Sequence, residues 1–280
     1  MTNDMKKGIL IGTYFILTIV PLIMGLGYSL LYSFGMAGLM NNGFTFEHWQ
    51  KLLANSELFI TIGYSIYITL FSLFFILTFA LLFSWWLVLK KNNYVFNLLF
   101  LPLAFPPLIA AFSWYYILSP AGIISRIVYY FGMTTDISDF PRLVNDDYSV
   151  GIILTHIFLI FPLFTILFIQ QAKKERMYSL KEISFTLGST KNQFFLKVFM
   201  PLLLKKTAPL ILLYAIFLIG AYEVPLLLGQ SSPRMITVFI SDKMTRFNLQ
   251  DIPQGHAMAV TYSVLIIGIT TLFIRKIKTV

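Results

Sequence analysis

The chain has 280 residues, 58% of them hydrophobic and only 12% charged, with a mean hydropathy of +0.78. That leaves too little polar surface to coat a soluble globule, and the net charge of +9 flanks apolar runs rather than clustering on a soluble face, so the composition indicates an integral membrane protein and argues against nucleic acid. With no cysteine, disulfides and thiolate sites are excluded, and His48, His156 and His256 fall at no ligand spacing, so no metal is expected.

A helix crossing about 30 Å of hydrocarbon needs about 20 apolar residues. Six stretches qualify, near 8–32, 62–89, 95–118, 149–170, 207–228 and 256–274, and predict an all-α chain of six transmembrane helices in one domain over 1–280. The first follows Lys6-Lys7, but its apolar run is about twice the length of a signal-peptide core and lacks a small-residue cleavage site, so it reads as an uncleaved span. Gly8 and Gly12 form a G-x-x-x-G there, a mark of close helix packing. Trp85, Trp86, Trp114 and Tyr116 stand near span ends and read as interfacial anchors. Pro102, Pro106 and Pro107 in the third span and Pro162 in the fourth mark kinks, either pivots or static bends. His156, in the fourth, is expected to hydrogen-bond a neighbouring helix.

Six spans put both termini on one side. Fifteen of the Lys and Arg residues, including Lys90, Lys91, Lys173, Lys174 and Arg275, share that side, against six on the other, so the termini are expected in the cytoplasm of a bacterial cell, with the protein in its inner membrane. The acidic residues Asp136, Asp139, Asp146 and Asp147 fall in an opposite, external loop.

The loop 171–206, between the fourth and fifth spans, is then cytoplasmic. Burying its eight basic residues at mid-bilayer would cost on the order of 20 kcal/mol, at about 2.5 each. Ser179 with Glu182, and Thr190 with Gln193, fit the capping-box spacing, predicting two short helices. Gly188 lies between them, where a left-handed residue ends a helix without steric cost, and Pro201 ends the second helix or opens the fifth span. Leu180, Ile183 and Leu187 make one apolar seam, and Phe194, Phe195, Val198 and Phe199 another, so the loop reads as a bent amphipathic elbow.

Glu182-Ile183-Ser184, then Gly188, then Val198, Met200 and Pro201 resemble the E-A-A-x3-G-x9-I-x-L-P loop of permease subunits of binding-protein-dependent ABC importers. Both alanines and the leucine are replaced, while the Glu-Gly-Pro spacing is kept. The segments LPLAFPPLIAAFSWYYILSPAGII and GAYEVPLLLG look like the polyamine-type branch of that family. The resemblance implies a type I importer permease fold in which Glu182, Ile183, Ser184, Gly188 and Pro201 belong to a cytoplasmic coupling helix. It also implies partners: two cytoplasmic ATPase subunits that bind the ATP, a second permease and an external solute-binding protein. For Glu182 itself, docking and capping of its own helix both stay open.

Glu223 is the one carboxylate within an apolar span, and an intramembrane acid usually faces a cavity or a partner. Pro225 is expected to free the carbonyl of Ala221 and open the helix, so Tyr222, Glu223 and Pro225 are candidates for the translocation path, with an interfacial glutamate as the alternative. No G-x-x-x-x-G-K-[ST] loop occurs, so the chain is expected to bind no nucleotide and to perform no catalysis itself. An ion-gradient carrier using Glu223, and a non-transporting scaffold, are the competing readings.

Overall fold

The computed structural model describes residues 3–39, 41, 43–90, 93–136 and 139–278, and the regular elements among them are helical. Lys91, counted above among the basic residues, lies outside the described residues. In chain order the helices begin with α1 (Asn3–Ser33), α2 (Glu47–Ala54), α3 (Ser56–Lys90), α4 (Asn93–Leu98), α5 (Phe100–Leu103), α6 (Pro107–Leu118) and α7 (Ile123–Tyr130). There follow α8 (Val150–Lys174), α9 (Met177–Thr186), α10 (Lys191–Phe194), a π-turn (Phe195–Phe199), α11 (Met200–Ile219), α12 (Glu223–Leu228), α13 (Ile236–Thr245) and α14 (Ile252–Lys278). Six described segments are long and apolar enough to cross a membrane: Leu10–Ser33, Ser56–Val88, Pro107–Tyr130, Val150–Lys174, Lys191–Ile219 and Leu249–Arg275.

The single domain expected over 1–280 divides into two compact units, one of residues up to Thr61 together with those from Ile236 onward, the other Ile62–Met235. In the first unit α14 packs against α1, α2 and α13. His256 stacks on Tyr32 with ring centroids 4.3 Å apart, and Trp49 donates its indole N–H to Ser33 Oγ at 3.2 Å. Neither Gly8 nor Gly12 has an intrachain neighbour where a Cβ would stand, so the G-x-x-x-G does not mark packing within this chain among the described residues.

In the second unit α8 is the central helix, with Phe164, Phe168 and Ile160 buried beside Phe199, Leu203 and Leu218. Its start is not capped by the preceding residue, since Ser149 is left-handed at φ 58 and makes no capping bond. Instead the Asp146 carboxylate accepts from the amides of Tyr148 (3.1 Å) and Val150 (3.0 Å), which supplies the orphan donors of the first turn with a charge suited to that end of the dipole.

Two predicted spans are corrected. The third, 95–118, is not continuous: α5 ends before residues 104–106, Pro106 takes an extended ψ of 143°, and Pro107 opens α6. A proline biases the residue before it away from helical geometry, and Pro106 itself precedes Pro107. The fifth, 207–228, breaks at 220–222, between α11 and α12, and its helical run reaches back to Lys191.

Candidate functional site

Two places in the second unit bring the singled-out residues together. The elbow begins where α8 ends, at a left-handed Arg176 (φ 50) from which α9 starts. This is a correction for Ser179, which lies inside α9 rather than at its cap, and for Glu182, which sits mid-helix, exposed, with no cap bond and no partner among the described residues. Gly188 has φ +85, with its amide bonded to Phe185 O (3.0 Å) and the Ser189 amide to Ser184 O (3.0 Å). These are the two bonds of a Schellman turn, which satisfies carbonyls that a helix end leaves unpaired. Beyond it Thr190 and Gln193 form a capping box, with both reciprocal bonds present.

Pro201 does not end a helix. It occupies the first turn of α11, and the chain stays helical from Lys191 to Ile219 through the π-turn. Phe194 and Phe199 are five positions apart and on an α-helix would lie about 140° from one another at 100° per residue; the wider π-turn brings them toward one side. Both are buried, and Trp85 meets Phe194, Phe195 and Phe199 at centroid distances of 5.8, 5.6 and 5.0 Å. Trp85, half-buried near the end of its span, thus packs against the elbow. Tyr178 donates its hydroxyl to Val88 O at 2.7 Å, which fastens the elbow to α3, and Lys206 pairs with Glu175 at 3.2 Å, which ties the two ends of the elbow together. Outside the membrane-spanning segments, partial burial also raises the pKa of the Tyr178 phenol. The predicted seam of α9 is split: Leu180 packs inward, but Ile183 and Leu187 are exposed. Ser184, Leu187, Gly188, Gln193 and Lys197 border an open groove of about 270 Å3.

The second place is a recess of about 210 Å3 lined by Leu103, Phe105, His156, Tyr214, Phe217 and Glu223 among others. Both helix breaks converge on it, since Phe105 belongs to the first and Gly220 and Ala221 to the second. Irregular backbone at membrane depth is tolerated where it is buried in protein or lines a cavity. Glu223 is exposed at the start of α12, Tyr222 is its half-buried cap residue, and Pro225 is buried in the first turn. The expected role of Pro225 is corrected: the helix has already ended at Ile219, and Pro225 sits where an amide is not required. His156 also departs from expectation. It is only 2% exposed, and neither ring nitrogen has a hydrogen-bond partner among the described residues.

The chain is thus by class a multi-span helical membrane protein with two interrupted spans beside a polar-edged recess. Residues 88–277 match the binding-protein-dependent transport system inner membrane component family, and the chain belongs to that family. No curated protein matches it. Among solved structures it resembles a bacterial ABC transporter involved in the import of the acidic polysaccharide alginate, with 16% identity, TM-score 0.72, and 98% of this chain and 96% of that one covered. It likewise resembles the bacterial alginate ABC transporter in complex with an alginate pentasaccharide-bound periplasmic protein, with 16% identity, TM-score 0.69, and 95% and 92% covered. At that identity the likeness shows the fold, which is that of an ABC importer permease. The chain is accordingly a transport subunit that moves a solute across the membrane, not a catalytic enzyme, and the gradient-driven carrier and the inert scaffold give way to it.

Proposed function

We propose that this permease carries a small cationic solute of the polyamine class past the recess at Glu223, and that its elbow at 171–206 seats an ATPase subunit. The observation that carries the reading is the meeting of two helix breaks at a recess edged, among the described residues, by one carboxylate and by no Lys or Arg side chain. An acidic polysaccharide would meet repulsion at such an edge, whereas an ammonium would find its counter-charge. In this reading Tyr222, Glu223 and Pro225 border the path. The groove beside Gly188, with Glu182, Ile183 and Ser184 along α9 and Pro201 beyond, is the coupling surface. The termini lie in the cytoplasm, two ATPase subunits bind the ATP, a second permease completes the path, and an external binding protein delivers the solute. ATP and solute each shift the inward- and outward-facing populations by their differential affinity.

The test is uptake of radiolabelled putrescine and spermidine by the reconstituted importer. Glu223→Gln removes a charged hydrogen-bond partner worth about 1.5–3 kcal/mol, so uptake at low solute falls about 10- to 100-fold. Unchanged uptake and unchanged preference between the two amines would refute the path assignment. Failure of the unaltered importer to carry either amine would refute the solute class.

A further inference from the structure

We propose that His156 is a second polar anchor in the recess, accepting a hydrogen bond from a protonated amine whose charge faces Glu223. This rests on the reading of the recess as part of the solute path and names a contact within it.

A histidine inside a membrane-spanning helix is ordinarily satisfied by a neighbouring helix. His156 is not: it is 98% buried, and both ring nitrogens lack partners among the described residues. Buried polar groups in folded proteins are nearly always paired, so an orphan imidazole calls for a partner from outside the chain. His156 borders the recess, and because its ring nitrogens have almost no accessible surface there, the contact needs the imidazole to turn toward the cavity. A neutral imidazole offers one acceptor and one N–H donor, so it can receive an ammonium proton while donating to water.

The other lining groups narrow the chemistry. Glu223 brings a negative charge, no Lys or Arg among the described residues lines the recess, and Phe105, Tyr214 and Phe217 stand in its wall. Aromatic faces attract cations, and more strongly when desolvated. A carboxylate, an imidazole acceptor and aromatic walls suit an alkylammonium group and oppose a carboxylate or phosphate.

The absence of cysteine makes a direct test possible, because one introduced thiol is unique in this chain. His156→Cys is placed in the assembled importer, in a background whose partner subunits also lack cysteine. The thiol is then modified with a cationic (trimethylammonium) or an anionic (sulfonate) methanethiosulfonate, each rate being normalised to that with 2-mercaptoethanol. The cationic reagent is expected to react at least tenfold faster in the nucleotide-free or the ATP-bound state, and adding Glu223→Gln brings the ratio toward one. Equal rates, or no modification in either state, overturn the proposal. A second pair of variants guards against misfolding. Provided that the subunits still co-purify, His156→Phe is expected to lower putrescine uptake at least tenfold, and His156→Gln, which keeps an acceptor, to retain most of it. Wild-type uptake in His156→Phe, alongside a loss in Glu223→Gln, overturns this inference alone. Wild-type uptake in Glu223→Gln, with no charge preference at position 156, overturns the path reading beneath it as well.

Discussion

Replacing Gly188 with Val probes the elbow at its sharpest point. The residue holds φ +85, and a Cβ built there meets nothing within 4 Å, so no neighbour has to move. The whole cost is therefore backbone strain, about 1–2 kcal/mol for an L-residue in left-handed geometry, and toward the upper end when it is β-branched. That corresponds to about a 5- to 30-fold loss in the population of the native turn. If the turn relaxes instead, the Gly188 and Ser189 amides lose their acceptors at Phe185 and Ser184, and the groove beside them changes shape. The assay is solute moved per ATP hydrolysed in proteoliposomes. Gly188→Asn should stay near wild type, because asparagine tolerates this region, Gly188→Ala should fall between, and Gly188→Val should hydrolyse ATP with little uptake. Equal coupling in all three variants would refute the reasoning, since the strain differs among them while the open space does not.

Two further outcomes are expected. Trp85→Ala removes three ring contacts worth about 0.5–1.5 kcal/mol each beyond their buried area, so the melting temperature of the detergent-solubilised importer should fall by several degrees; an unchanged value would mean that the elbow is held elsewhere. Lys191→Cys and Lys197→Cys should react with a membrane-impermeant maleimide in inside-out vesicles and stay unlabelled in intact cells, and the opposite pattern would reverse the assigned orientation.

Some of this architecture announces itself in the residues. Gly188 and the Thr190–Gln193 pair each report a local backbone demand that the chain meets on the spot, and the long apolar runs leave few alternatives to helices. The misreadings have physical causes. Ser179 has the spacing of a cap, but α9 starts earlier because Arg176 turns left-handed, a geometry for which an arginine carries no local signal. Phe194 and Phe199 share Trp85 only through a π-turn, whose period α-helical counting does not anticipate. The break before Pro225 is set at Gly220, where α11 stops, not by the proline downstream. His156 is the least legible of all: whether a buried imidazole finds a partner depends on what tertiary packing places around it, and here packing leaves both ring nitrogens buried and unpaired among the described residues, beside a recess. Asp146 reads as one loop charge among several until the fold brings its carboxylate under the first amides of α8.

The uninterrupted helical run from Lys191 to Ile219 has a mechanical consequence. At 1.5 Å per residue its 29 residues form a lever about 43 Å long, with the groove at one tip and the recess at the other. A swing of about 10° at the first tip displaces the second by about 7 Å, more than the width of a methylene chain. A tilt of this run about its groove end therefore moves the residues beside Glu223 the farthest, and Pro201 in the first turn of α11 and Pro209 further along it are where the run can bend.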